Sequence, residues 1–212
     1  MASNTQSRGI HQGFVTYAQS NKAPGQDGFF PGLDRTGNIV PDGDDTGFSG
    51  DGSVPGSRMW MMLEGNFFTP DYMMSPADER AIEVEFLEDS QRFAPIKPEN
   101  HSYALQFIVG TPNETIEWSE TLKTDAIVLA GRAIGTGPDN ISSVWTDPGS
   151  GDWRGDLVRN DNSTTFAKKH VFEDTQFGDG DVNPLDDVFA DDPDADDAFL
   201  VHEDATTAYS AD

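Results

Sequence analysis

The sequence predicts an α+β fold in which an N-terminal amphipathic helix packs on an antiparallel β-sheet, with long acidic loops. Apolar residues recur at helical spacing near the start of the chain, short β-prone segments fill the second half, and acidic residues crowd into loop-like segments. One face of the helix predicted over residues 4–21 carries Ile10, Phe14, Tyr17 and Ala18. We expect Ile10, Phe14 and Tyr17 to form the surface on which helix and sheet pack.

Composition limits the classes of protein to be considered. The chain has 212 residues, of which 38 are acidic and 13 are basic, so its formal net charge is −25. This charge excludes a nucleic-acid partner bound through a basic face. The sequence has no cysteine, which removes disulfide bonds, thiolate metal sites and cysteine nucleophiles. From the length we predict a single domain over residues 1–212.

The first helix is followed by a long loop and a second, shorter helix. Residues 24–56 are dense in Gly, Pro and Asp and have neither helical nor strand periodicity, which predicts a long surface loop. Residues 57–65 carry apolar side chains between a possible cap, Ser57, and a possible terminator, Gly65. This pattern predicts the second helix.

The β-sheet region is predicted over residues 81–177. Single strands are expected at residues 81–87, 101–109, 125–130 and 171–177. Residues 154–160 and 163–169 are expected to form a hairpin, because the Asp161-Asn162 pair between them tolerates positive φ.

The end of the chain, residues 178–212, is predicted to be an acidic loop region. Between residues 174 and 212 there are 12 Asp, one Glu and no Lys or Arg, which is about half of the net charge. Such a segment repels itself, but interspersed apolar residues indicate that it is partly folded against the body. These apolar residues are Phe189, Phe199, Leu200, Val201 and Tyr209.

Three acidic loops have spacings that resemble calcium loops, and calcium prefers hard oxygen ligands of this kind. The candidate ligands are, loop by loop, Asp192, Asp194, Asp196 and Glu203; Asp179, Asp181 and Asn183; and Asp42, Asp44 and Thr46. The first loop places Glu203 at the twelfth position but has Asp197 where a calcium loop has Gly. Calcium is therefore a candidate cofactor. Two alternatives stay open: ordinary turn residues, or adaptation of the surface to a salty medium.

We expect no enzyme, because the common enzyme motifs are missing, although the 38 acidic residues leave open a carboxylate pair for glycoside hydrolysis. The sequence lacks a serine-hydrolase elbow, a zinc-protease motif and a phosphate-binding loop. The Gly-rich stretch 131–137 is predicted to be a loop, because no helical pattern follows it. Trp118, Trp145 and Trp153 could line a sugar-binding face, although use in the core is the preferred interpretation. The histidines are far apart in sequence and are expected to be structural; they are His11, His101, His170 and His202.

Two segments resemble a known family. Residues 4–22, NTQSRGIHQGFVTYAQSNK, resemble the region just beyond the membrane helix of bacterial type IV pilin-like proteins and type II secretion pseudopilins. Residues 140–170, NISSVWTDPGSGDWRGDLVRNDNSTTFAKKH, and then FGDGDVNPLDD resemble the C-terminal part of the prepilin-like family named for an H-X9-DG motif. Here eight residues, not nine, separate His170 from Asp179-Gly180. Residues 65–79, GNFFTPDYMMSPADE, match more loosely.

The resemblance implies a non-enzymatic filament subunit, with a long N-terminal helix and an antiparallel sheet on its second half. In that family the first half of the helix is apolar, follows a leader that a prepilin peptidase cleaves, and anchors the subunit in the membrane. We expect such a segment ahead of Asn4 in the native protein. The implied partners are other pilin-like subunits and the secretion or pilus assembly machinery, with a location at the cell surface, periplasm or outside the cell. Major pseudopilins also have a calcium site in the C-terminal loop region.

An alternative function stays open beside the filament subunit. Acidic loops and candidate exposed rings are also typical of a secreted, calcium-dependent binding module that recognises a carbohydrate or a cell-surface partner. Such a module would bind glycans in the presence of calcium and would form no filaments.

Overall fold

The computed structural model describes residues 2–42, 51–109, 118–120, 124–172, 186–190, 199–204 and 207–210. The helices are α1 (Ala2–Asn21) and α2 (Pro55–Glu64). The strands are β1 (Phe86–Leu87), β2 (Arg92–Phe93), β3 (Tyr103–Gln106), β4 (Ile127–Gly131), β5 (Ala133–Ile134), β6 (Gly155–Arg159), β7 (Thr164–Ala167), β8 (Val171–Phe172), β9 (Asp186–Asp187), β10 (Leu200–Val201) and β11 (Tyr209–Ser210). Short 3-10 turns cover Pro70–Met73, Pro98–Asn100 and Pro138–Asn140.

The helix α1 has one apolar face, as its periodicity predicts. Ile10, Phe14 and Ala18 are fully buried, whereas Gln12 and Thr16 on the opposite face are exposed. Burial of this face supplies most of the stability of a helix whose intrinsic propensity is modest. Among the residues that the structure describes, neither helix combines the length and the apolar character needed to cross a membrane.

Two glycines allow α1 to approach its neighbours closely. Each glycine costs about 1 kcal/mol of helix propensity relative to alanine. A Cβ atom on Gly9 would collide with the ring of Tyr72, and one on Gly13 would lie 3.2 Å from the ring of Phe68. The loss of propensity is therefore offset by tight packing against the segment that follows α2.

The main sheet has five strands in the order β10-β3-β4-β6-β7, and every neighbouring pair is antiparallel. The smaller pairs β1-β2 and β8-β9 are also antiparallel, and only β5-β11 is parallel. The helix α1 lies against β4, β6 and β7. The predicted class, a mixed α+β fold with mostly antiparallel strands, is confirmed.

Apolar side chains cover both faces of the main sheet. Leu105 and Val158 belong to the cluster that contains the buried face of α1. Their neighbours Ala104 and Leu157 belong to a second cluster. Successive side chains of a strand point to opposite faces, so β3 and β6 contribute to both clusters. A sheet with two covered faces explains why its central strands are apolar at nearly every position.

The predicted hairpin is present. Strands β6 and β7 pair in register from Gly155 opposite Ala167 to Val158 opposite Thr164. Asn162 in the turn has a φ of 65°, a left-handed conformation that asparagine adopts more readily than most residues.

Two predictions of local structure were wrong. In the segment 81–87 only Phe86–Leu87 is a strand. Among the described residues no strand pairs with residues 81–85, which make only single backbone hydrogen bonds such as Ile82 N to Glu99 O, and of them only Val84 is buried. The stretch 131–137 is not simply a loop, because Ala133–Ile134 pairs with β11. That partner lies at the far end of the chain, which a local pattern cannot indicate.

The predicted surface loop also reaches the core. Residues 24–42 contain no strand, in agreement with their composition, but Phe30 and Leu33 are almost completely buried in the cluster beneath α1. Backbone hydrogen bonds tie this segment down, among them Phe30 N to Trp118 O at 3.1 Å. The second helix begins at Pro55, two residues earlier than predicted.

Candidate functional site

The interface between α1 and the sheet is the first candidate site, because it contains the residues singled out for packing. Ile10 and Phe14 are fully buried there. The Phe14 ring lies 5.9 Å from the ring of Phe30 and 5.4 Å from that of Trp118, at angles of 42° and 60°. The edge-to-face contact with Trp118 stabilises beyond simple burial. Phe14 therefore joins the helix to the loop and to the residues beside the sheet.

Tyr17 occupies the border of the same interface. It is half-buried, and its ring meets the ring of Phe67 edge-on at 5.5 Å. Burial raises the pKa of the Tyr17 hydroxyl. The contact extends the packing of α1 to the segment after α2.

A histidine fixes α1 to the β6–β7 turn. His11 is fully buried, and its Nδ1 and Nε2 atoms lie 3.2 Å from Asn162 Oδ1 and 3.3 Å from Asn160 Oδ1. Burial lowers the pKa of His11. Asn160 in turn donates from Nδ2 to Ser119 O at 2.7 Å. The arrangement positions the helix and provides no nucleophile, so a structural role for His11 is the simplest interpretation.

A buried ion pair is the second candidate site. Arg132 Nη2 lies 2.9 Å from Asp78 Oδ1, and the two side chains are only 6% and 1% exposed. Asp78 Oδ2 accepts a hydrogen bond from Ser102 Oγ at 2.8 Å, and Ser102 Oγ accepts one from Ser75 N at 3.0 Å. Ser102 is fully buried and its partner is a carboxylate, so the group resembles a packing element more than a hydrolytic centre.

Arg58 is a second buried cation in the same part of the core. It donates from Nη1 to Gln106 O at 2.6 Å and from Nη2 to Ser53 O at 3.0 Å. Its guanidinium carbon lies 4.9 Å from the centre of the Trp118 ring, within the range of a cation–π contact. Burial lowers the pKa of Arg58 to about 9. The charge thus bridges α2 and β3, and no carboxylate of the described residues forms an ion pair with it.

Two histidines that are remote in sequence form a buried pair. The rings of His101 and His202 are 4.3 Å apart and both residues are almost completely inaccessible. His202 Nε2 lies 3.1 Å from His101 O, and His101 Nδ1 lies 2.9 Å from Tyr103 O. Burial lowers the pKa of His101 to about 4, with the positive charges of Arg132 and Arg58 adding to the effect against Asp78. The pKa of His202 is also lowered by burial and by His101.

These histidines make acid sensitivity an expected property. Unfolded histidine takes up a proton near pH 6.5, whereas folded His101 resists it down to about pH 4. Below about pH 6.5 the unfolded state therefore binds more protons than the folded state. As a result, the free energy of unfolding decreases as the pH is lowered. Between about pH 7.5 and 5.5, we expect His101 alone to remove ~1.4 kcal/mol, measured by urea denaturation.

The chosen pH range separates histidines from carboxylates, which titrate about one unit or more lower. The matched variant is His101→Gln, which removes the buried imidazole and should flatten this part of the pH dependence. A stability that is flat or rises between pH 7.5 and 5.5 would contradict the burial of neutral histidines.

Most of the predicted calcium ligands fall outside the described residues. This applies to Asp192, Asp194, Asp196, Asp179, Asp181, Asn183, Asp44 and Thr46. Asp42 is exposed and Glu203 is partly exposed. Among the residues that the structure does describe, no group of three or more His, Asp or Glu side chains is arranged to hold a metal ion.

Calcium binding thus stays a prediction, and it has a direct measurement. A ligand that binds only the folded state stabilises it by mass action, by about 2.7 kcal/mol at a hundredfold excess over Kd. We expect millimolar calcium to raise Tm, EDTA to reverse the change, and Asp194→Asn to weaken it more than the control Asp152→Asn. A Tm that responds to neither calcium nor EDTA would contradict the prediction.

The three candidate sugar-binding rings have different environments. Trp118 and Trp153 are fully buried, which agrees with the preferred interpretation as core residues. Trp145 is 43% exposed and meets the ring of Phe166 edge-on at 5.6 Å. The three rings therefore do not form one continuous binding face.

Comparisons of the chain with protein-family models, with curated proteins and with solved structures found no match.

Proposed function

We propose that this chain is the globular part of a non-enzymatic subunit of a type IV pilus-like or type II secretion pseudopilus filament. The observation that carries the proposal is α1, which has its apolar face on β4, β6 and β7 of an antiparallel sheet. A helix held in this way can transmit the position of a membrane or filament segment ahead of it to the rest of the subunit. The resemblance of residues 4–22 and 140–170 to pilin-like proteins supports the same function.

The surroundings of the titratable groups support a non-enzymatic role. His101 and His202 are sealed in the core, and His11 contacts amide side chains. The buried serine Ser102 is bonded to a carboxylate that is already paired with Arg132. Catalytic groups must lie where a substrate can reach them. These groups are better suited to stabilising the fold.

The proposed partners are further pilin-like subunits and the secretion or pilus assembly machinery. The proposed location is the cell surface, the periplasm or the exterior, with membrane contact only through a helix ahead of Asn4. Calcium bound in the acidic loops would reduce repulsion among carboxylates and would stiffen the exposed parts of the subunit.

The test of the filament function is the native N-terminus. Intact-mass and N-terminal peptide analysis of the protein from its source cells should find a methylated residue, then an apolar stretch of about 20 residues that runs into Asn4. A mature chain that begins at Met1 or Ala2 would overturn the proposal.

The exposed Trp145 is the one observation that favours the alternative, a calcium-dependent binding module for a carbohydrate or a cell-surface partner. A glycan array probed with and without calcium tests it, with Trp145→Ala as the variant that should lose binding. An array that stays blank in both conditions would leave the filament function as the better account.

A further inference from the structure

Five of the six exposed large apolar side chains in the described part of the chain fall into two groups, and Tyr72 belongs to neither. Among the described residues, the large apolar side chains that are at least 37% exposed are Tyr72, Ile82, Phe86, Leu87, Trp145 and Phe166. Ile82, Phe86 and Leu87 belong to the segment that enters β1, whereas Trp145 and Phe166 form a pair beside β7. Single exposed apolar residues are ordinary, but grouped ones mark interaction surfaces.

The first group combines apolar and negative side chains. We call it the acidic apolar surface and define it as Ile82, Phe86 and Leu87 with Glu83 and Glu85. Ile82 is 60% exposed and Phe86 is 46% exposed, although Phe86 contacts Phe93 edge-on at 5.2 Å. Glu83 and Glu85 are exposed and form no ion pair with any described residue. Within the described residues, the two carboxylates of this surface therefore have no cationic partner, and its apolar side chains are exposed to solvent.

The second group combines aromatic and positive side chains. We call it the basic aromatic edge and define it as Trp145, Phe166, Lys168 and Lys169. Strand β7 is the last strand of the main sheet, so its outer edge has no neighbouring strand among the described residues. Lys168 and Lys169 follow β7, are exposed, and form no ion pair with any described residue. Lysines without an ion pair in the described part of the chain are unexpected at a net charge of −25, where carboxylates outnumber bases almost threefold.

We propose that the basic aromatic edge of one copy of this chain docks on the acidic apolar surface of a second copy. Both surfaces offer exposed apolar side chains, and their charges are opposite in sign. Copies that each carry a charge of −25 repel one another, so they need a local region of opposite sign to come together. Complementary charge sets the orientation and excludes other contacts, while the buried rings supply the affinity.

The contact is head-to-tail, because each copy uses one surface to bind and leaves the other free. A heterologous contact of this type forms a ring if its rotation closes and an open helical filament if it does not. The inference rests on the proposed function in that it names which faces of the globular parts meet between filament subunits. Protection of an open strand edge is the other known use of lysine at such a position, and the experiment separates the two.

The experiment uses a zero-length carbodiimide, which joins a lysine to a carboxylate only where the two are in contact. An equal mixture of 14N- and 15N-labelled chains is treated at low salt and high protein concentration, and linked peptides are identified by mass spectrometry. Mixed-isotope peptides that join Lys168 or Lys169 to Glu83 or Glu85 are the expected result. High salt should reduce their yield, because the attraction is screened.

Charge reversal provides the matched variants. Lys168→Glu with Lys169→Glu makes both surfaces acidic, and Glu83→Lys with Glu85→Lys makes both basic. Each double variant alone should lose self-association, with the yield of sedimenting oligomer falling about tenfold or more, because like charges then face each other. An equal mixture of the two should associate again, because each edge then meets a surface of opposite sign. Links should join Lys168 or Lys169 of the second variant to Glu83 or Glu85 of the first, and the introduced lysines of the second variant to the introduced glutamates of the first. Edge protection predicts no such recovery. All four residues are exposed, so folding should be unaffected, which Tm checks.

Several outcomes would overturn the inference: links confined to one chain, links from Lys168 to the carboxylates of residues 174–212, or a mixture that fails to associate. Glycan binding lost in Trp145→Ala, without self-association, would assign the aromatic pair to a sugar instead. A native N-terminus of the pilin type without these links would leave the filament function standing and this contact wrong. If the links were found but the native N-terminus were not of the pilin type, this contact would stand and the filament function would be wrong.

Discussion

Replacing Phe14 with alanine is expected to lower the free energy of unfolding by about 3–5 kcal/mol, the usual cost of deleting a buried phenylalanine. Phe14 is fully buried, and its ring contacts Phe30 and Trp118. These residues belong to a helix, a loop and a segment beside the sheet, so the cavity cannot be closed by moving one neighbour. In a chain of this size each kcal/mol corresponds to about 2–4 °C in Tm.

Urea denaturation and thermal melting measure this effect, and Gln12→Ala is the matched control on the exposed face of α1. Because Gln12 is exposed and alanine is the better helix former, the control should change stability by no more than about 0.5 kcal/mol. A loss below about 1 kcal/mol for Phe14→Ala would mean that α1 does not pack on the sheet in solution, and would remove the observation that carries the filament proposal.

Asp78→Asn is the second substitution with a large expected effect. It removes the carboxylate charge that lies 2.9 Å from the buried Arg132 and weakens the hydrogen bond from Ser102. Breaking a buried pair by removing one partner costs about 3–5 kcal/mol, because the remaining charge is desolvated and uncompensated. We expect a loss of this size in urea denaturation at neutral pH.

The chain contains a matched exposed pair as control. Arg154 Nη2 and Asp152 Oδ2 are 2.6 Å apart, but both side chains are more than 40% exposed. Asp152→Asn should therefore change stability by no more than about 1 kcal/mol. The double variant Asp78→Leu with Arg132→Met should be more stable than Asp78→Asn, since it removes both charges. If Asp78→Asn and Asp152→Asn lowered the free energy of unfolding by the same amount, the burial of the Asp78–Arg132 pair would be contradicted.

Local sequence patterns were sufficient where a segment's neighbours are close in the chain. The apolar spacing of Ile10, Phe14 and Ala18 predicted α1 and the side that is buried, because helical periodicity depends only on the segment itself. The β6–β7 hairpin was predicted for the same reason, since its two strands and the turn residue Asn162 are adjacent in sequence. The mixed α+β class followed from these elements.

Local patterns failed where a partner is remote. The alternation of residues 81–87 resembles a strand, but within the described part of the chain only Phe86–Leu87 pairs with another strand, and Ile82, Phe86 and Leu87 are exposed. The Gly-rich stretch 131–137 resembles a loop, but β11 returns from the end of the chain to pair with it. Strand pairing is a property of two segments, and one segment's composition cannot supply the second.

The candidate sites also differ in whether the local sequence or only the tertiary structure reveals them. Composition and periodicity alone determined the net charge, the apolar face of α1 and the hairpin, whereas the expectation of a filament subunit came from the resemblance of residues 4–22 and 140–170 to pilin-like proteins. Only the tertiary structure brought His101 to His202 and Arg132 to Asp78, because burial and the charge of a neighbour arise from long-range packing. The acidic apolar surface and the basic aromatic edge also depend on the tertiary structure. Exposure of an apolar or charged side chain depends on what the rest of the chain covers, and no local pattern records what is left uncovered.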